Sequence, residues 1–146
     1  MVGTSLRGNP VASSLSVGAD ELRVIGHAIT WRLNGPYEHA SPPGLSDEDR
    51  QILRILFNEL CSQQRASQFS AKPVWIEVEK LYACKDGWMQ LPPAYFRLMT
   101  DAVASFVGEF RHTPTELKVV TGLPASNALR LLSRMEAICP QDSALP

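Results

Sequence analysis

The side chains able to serve as bases, nucleophiles or metal ligands are few and scattered. The three histidines, His27, His39 and His112, never stand four residues from one another or beside a paired carboxylate. Neither a helical zinc pair nor a catalytic base is signalled by that spacing. Cys61, Cys84 and Cys139 are odd in number, widely spaced and form no C-x-x-C pair, which predicts reduced thiols in an intracellular protein. Serines and cysteines lack a nucleophile elbow, and no glycine-rich loop leads into a lysine as phosphate cradles require. The expectation is a protein that is not an enzyme and carries no metal and no cofactor.

The chemistry that is concentrated is cationic. The chain as a whole has a formal net charge of −1, so it lacks the positive field of a purely electrostatic nucleic-acid or membrane binder. Between residues 111 and 135, however, Arg111, Lys118, Arg130 and Arg134 face a single carboxylate, Glu116: four cations less one anion, or +3. The remainder of the chain is therefore −4. Any contact with phosphate is expected from this local patch.

The elements that must position it follow from periodicity. A chain of 146 residues with 45% hydrophobic and 20% charged residues is one globular domain by default. Residues 1–18 mix glycine, proline and serine without apolar spacing, and predict an arm that is flexible unless a partner holds it, either a tail or a docking strand. Leu22, Ile25, Ile29 and Leu33 predict a helix over Ala19–Leu33, stopped by Asn34-Gly35-Pro36. A proline-rich loop, Gly35–Leu45, separates it from a second helix. There Ser46 and Asp49 have the spacing of a capping box, and Ile52, Leu53, Leu56, Phe57 and Leu60 form one apolar face, to about Gln64.

The stretch 73–82 fits two periods. Val74, Ile76 and Val78 alternate like a strand, whereas Val74, Val78, Leu81 and Tyr82 fit a helix face; helix is favoured, with a small hairpin closed by Lys85-Asp86-Gly87 onto Trp88–Leu91 as the alternative. Phe96, Met99, Val103, Phe106, Val107 and Phe110 then predict a helix from Pro93 to near Gly108, followed by two shorter ones, Pro114–Val120 and Pro124–Glu136, and a tail over 138–146. The expected fold class is mainly α: a compact multi-helix bundle over 19–137 with a C-terminal tri-helical unit over 93–136. No apolar run approaches the roughly 18 residues of a membrane span, and residues 1–18 hold no apolar leader core, so the expected location is cytoplasmic, away from membranes.

The run from Pro114 to Arg134 resembles a helix-turn-helix. That motif needs two short helices crossing steeply, a turn residue tolerant of positive φ, and apolar groups buried on each side. Gly122 supplies the turn residue, with Leu117 as core of the first helix, Leu123 as plug of the turn, and Ala128 and Leu131 as the inner face of the second. Gly122-Leu123-Pro124-x-Ser126, continued by Arg130-Leu131-Leu132, is similar to the corresponding segment of winged-helix bacterial regulators of the isocitrate-lyase-regulator type. The match extends over the helix-turn-helix and not over a wing.

That resemblance implies that Pro124, Ala125, Ser126, Asn127 and Arg130 open a recognition helix, whose early residues meet base edges and phosphates. Asn127 would read an adenine edge, and Arg130 a guanine edge or a phosphate. Arg111, Lys118, Ser126, Asn127, Arg130 and Arg134 are thus the candidate nucleic-acid-binding residues, with DNA favoured over RNA and a homodimer or protein partner expected. Two alternatives stand beside this reading. One is a small helical scaffold subunit touching nucleic-acid backbone, similar in size, helix content and mixed charge to the small subunits of CRISPR effector complexes. The other is a protein-binding adaptor or inhibitor. Tyr37-Glu38-His39 is a further candidate contact segment, and Trp31, Trp75, Trp88, Tyr82 and Tyr95 are expected mostly in the core or half-buried.

Overall fold

The computed structural model describes residues 14–34 and 45–138. The expectations for residues 1–13, for the proline-rich loop with Tyr37-Glu38-His39, and for the tail with Cys139 lie outside the described residues.

The molecule is mainly helical with a small sheet. Strand β1 (Ser14–Val17) leads into helix α1 (Ala19–Asn34). Helix α2 (Asp47–Ser70) is followed by strands β2 (Val74–Val78), β3 (Ala83–Lys85) and β4 (Trp88–Leu91). Helices α3 (Pro93–Glu109), α4 (Pro114–Thr121) and α5 (Ala125–Ile138) complete the described chain. Phe96, Met99, Val103 and Phe106 of α3, Leu22, Ile25 and Ile29 of α1, and Leu53, Leu56 and Leu60 of α2 share one buried cluster with the inward residues of the sheet.

Helix α2 begins as its sequence dictates. Ser46 is the N-cap, its Oγ accepting from the Asp49 amide at 3.0 Å, and Asp47, Glu48 and Asp49 place negative charge against the positive end of the helix dipole. It then runs six residues past the expected end at Gln64, because the buried stripe continues through polar side chains. Gln63 and Ser67 are both buried. Ser67 Oγ donates to the Lys72 carbonyl at 2.6 Å, and Gln63 takes three bonds: Nε2 donates to Glu59 and to the Lys85 carbonyl, and Oε1 accepts from the Gly87 amide. The helix closes on Ala71, which adopts the left-handed conformation at φ 59° that glycine usually fills.

Two expectations are corrected in the sheet. The favoured helix over 73–82 is a strand, β2, in which Val74 and Ile76 point into the core and Trp75 out; Leu81 and Tyr82, which a helix would have buried, are 74% and 40% exposed. The physical reason is the ladder available on both sides: β2 pairs antiparallel with β1 and parallel with β4, in the order β1-β2-β4-β3. The hairpin placed as an alternative does form, but between β3 and β4, turned at Gly87 with φ 83°. The end of the expected arm is the edge strand β1, whose Leu15 and Val17 are buried.

The sheet's outer face carries Trp75 beside Trp88 in register, with Lys85 Nζ 5.0 Å from the Trp88 ring centroid and Trp88 Nε1 donating to Glu77 at 3.0 Å. Trp31, Trp88 and Tyr95 are half-buried, as expected of most of the large aromatics, whereas Trp75 and Tyr82 are exposed. Among the described residues no helix is long and apolar enough to cross a membrane.

Candidate nucleic-acid interface

Helices α4 and α5 meet at a corner built from four adjacent residues, Thr121, Gly122, Leu123 and Pro124. Gly122 takes φ 81°, and its amide donates to the Lys118 carbonyl at 2.7 Å, closing α4. Thr121, 1% exposed, stitches the turn: its hydroxyl donates to the Leu117 carbonyl at 2.8 Å and accepts from the Leu123 amide at 3.1 Å. The Pro124 carbonyl then accepts from the Asn127 and Ala128 amides and starts α5. Leu117, Leu123, Ala128 and Leu131 are all buried beneath the corner, and α5 packs across α3 as well as α4.

Five of the six candidate side chains reach the surface of this segment. Arg111, Lys118, Ser126 and Arg130 are exposed and Asn127 is half-buried, with Ser126 Oγ 3.3 Å from Asn127 Oδ1. The first turn of α5 therefore presents a hydroxyl, an amide and, one turn on, a guanidinium. Leu129 also faces outward, 52% exposed, at the mouth of a groove of about 190 Å³ formed with Val107, Phe110, Leu117 and Leu132. Val119 and Val120 of α4 are 79% and 44% exposed.

Arg134 stands apart from the other five. Its Nη1 pairs with Glu21 Oε2 at 2.8 Å and its Nη2 donates to the Ser16 carbonyl. Glu21 in turn accepts from the Gly18 amide through Oε1 at 3.0 Å, so one carboxylate and one guanidinium join β1, the start of α1, and α5. With Arg134 paired, the segment's outward charge falls to +2: Arg111, Lys118 and Arg130 less the exposed Glu116.

Two contributors were invisible to the periodicity argument. Thr121 could have been found, since a threonine just before a helix-ending glycine has local backbone partners within reach. Arg23 could not: it lies almost a hundred residues upstream, yet a Cβ placed on Gly122 would stand 3.2 Å from Arg23 Nη1. Arg23 brings a further cation to the turn, shared with Asp20 at 3.8 Å.

Elsewhere, Cys61 and Cys84 are free thiols, both half-buried, and burial together with the Glu59 carboxylate pushes the Cys84 thiol up, away from the reactive thiolate. Tyr82, hydrogen-bonded to Cys84, is likewise raised, chiefly by burial. His27 and His112 do not meet, and the described residues hold no cluster of three or more His, Cys, Asp or Glu that would bind a metal. Comparison with protein-family models, with curated proteins and with solved structures found no match.

Proposed function

We propose that this chain is a non-enzymatic nucleic-acid-binding protein that contacts duplex DNA through the α4–α5 corner. The observation that carries the reading is the corner itself: a left-handed Gly122 between two helices whose inner residues are buried, with Ser126, Asn127 and Arg130 in the first turns of the second helix and with Arg111 and Lys118 exposed on the segment before it. A helix start in this position offers unpaired amides and side-chain donors to phosphates and base edges. Arg134 serves the fold in this reading, and the phosphate contacts fall to Arg111, Lys118 and Arg130.

The test is a salt-titrated binding assay against duplex and single-stranded DNA. Duplex binding that weakens steeply with salt is expected, with a shallower slope on changing Arg130 or Lys118 to alanine, because each lost phosphate contact lowers the slope by about one. Unchanged, salt-sensitive binding after Arg130→Ala with Asn127→Ala overturns the assignment to α5.

One observation favours a second reading, a scaffold or adaptor that docks on another protein. Val119, Val120 and Leu129 leave apolar surface open at the same corner. If the purified chain binds neither duplex nor single strand at low salt, and Val119→Ser with Leu129→Ser changes its oligomeric state, the protein-binding reading replaces the first.

A further inference from the structure

A groove of about 550 Å³ opens between α1 and the α3–α4 connection, within the size range of small-molecule sites. Its wall is a chain of aromatic rings. Trp31 meets Phe106 edge to face, centroids 6.2 Å apart, and Phe106 meets Phe110 at 5.2 Å. Glu109 and Glu116 line the same groove, both on exposed positions, and no lysine or arginine is among its described lining residues. His27, the remaining titratable group of the lining, is pushed below its ordinary value by burial and by Arg23 one turn away, so it is neutral near pH 7 and opposes no cation.

We propose that this groove is a binding site for a small organic cation, a primary or quaternary amine carried on an apolar body. Two partly open rings, Trp31 and Phe110, braced on the buried Phe106, and two carboxylates around one opening suit that chemistry specifically. Electron-rich rings attract a cation that a plain hydrocarbon pocket would reject, and the carboxylates complement its charge without themselves being buried. An anion meets two like charges there, and an uncharged ligand gains only the apolar contact. The site is independent of the α5 surface proposed for DNA, and its test contains no nucleic acid.

The experiment is calorimetric titration of the full chain with benzyltrimethylammonium, benzyl alcohol and benzoate. Saturable one-to-one binding of the ammonium ion is expected, with a dissociation constant of about 10–500 μM for a probe of this size. Benzyl alcohol should bind at least about tenfold more weakly and benzoate not measurably. The double change Glu109→Gln with Glu116→Gln should weaken ammonium binding about tenfold, and Phe110→Leu, which keeps the apolar volume and removes a ring, several-fold.

Equal binding of the three probes overturns the proposal, as does the absence of saturable binding to the wild-type chain; both outcomes need no variant to fold. Residues 35–44 follow directly on Asn34, which also lines the groove. If ammonium binding appears only when 35–44 is replaced by a glycine-serine segment of equal length, the groove is occupied by the chain's own segment and the proposal falls.

Discussion

Arg134 and Glu21 meet at 2.8 Å across 113 residues of sequence, and neither side chain stops there. Glu21 holds the Gly18 amide and Arg134 holds the Ser16 carbonyl, so the edge strand, the first helix and the last helix share one charged junction. Both side chains are partly open to solvent, at 37% and 24%, which limits the strength of the pair itself. The backbone groups it satisfies add to that. Arg134→Ala is expected to cost about 1–2 kcal/mol of folding stability in denaturant titrations, and to leave the salt slope of any DNA binding unchanged. A slope reduced by about one, with stability intact, would instead return Arg134 to the phosphate contacts.

Gly122 is required by its backbone conformation, and it also has a close neighbour. Its φ of 81° is costly for any residue with a Cβ, and a Cβ there would press on Arg23 Nη1 at 3.2 Å. Gly122→Ala should destabilise by about 1–2 kcal/mol. Arg23→Ala in the same chain should recover the smaller, steric part of that loss, and thermal unfolding of the two single variants and the double variant measures the coupling. Additive effects would show that the arginine moves aside without cost.

Gln63 should be among the least replaceable polar residues of the helical layer. It is 2% exposed and bonds both the Lys85 carbonyl and the Gly87 amide, so it clamps the β3–β4 turn to α2. Gln63→Leu keeps the volume and strands both backbone groups, a loss of about 2–4 kcal/mol. Hydrogen exchange at the Gly87 amide should accelerate well beyond that of the α3 core. Protection equal to wild type at Gly87 would mean that the turn holds itself.

Helices announced themselves in the sequence wherever an apolar stripe and a stop or cap coincide. Ser46 with Asp49, Asn34 before Gly35, Pro93, and Gly122 all mark boundaries by local backbone chemistry that any context must respect. The sheet was far less legible. Val74, Ile76 and Val78 alternate, but β1 and β4, which make that alternation a strand, lie far away or beyond an intervening strand, and β1 is four residues in a stretch dominated by glycine and serine. The end of α2 was missed for a related reason, since Gln63 and Ser67 are inward-facing yet polar and Ala71 replaces the usual glycine. In the corner, the helix-turn-helix resemblance picked out Leu117, Leu123, Ala128 and Leu131, while the charge count placed Arg134 with the outward cations, because nothing near it in sequence reveals Glu21 or Ser16. The aromatic groove has the same character: Trp31 and Phe110 belong to different helices and only the packing of α1 on α3 joins them.

His27 gives the fold a pH dependence with a definite sign. Burial first, and Arg23 second, lower its folded-state value below the ordinary 6.5, so the unfolded chain takes up a proton more readily than the native one. Wherever the unfolded state binds more protons, stability rises with pH. Only about a unit above 6.5 do both states carry a neutral imidazole, and there His27 contributes no slope. As pH falls through 6.5 toward the folded value, stability is progressively lost, and below the folded value the contribution levels off. Carboxylates titrate at lower pH and add their own slope there, so the comparison of interest is between wild type and His27→Gln. Urea midpoints of the two should run parallel above about pH 7.5 and separate below it, with wild type falling faster, while the His27 ring resonances titrate with a midpoint under 6.5. A midpoint at or above 6.5, or parallel curves down to pH 5, would show that the Glu109 and Glu116 carboxylates on the same groove offset the burial and the arginine.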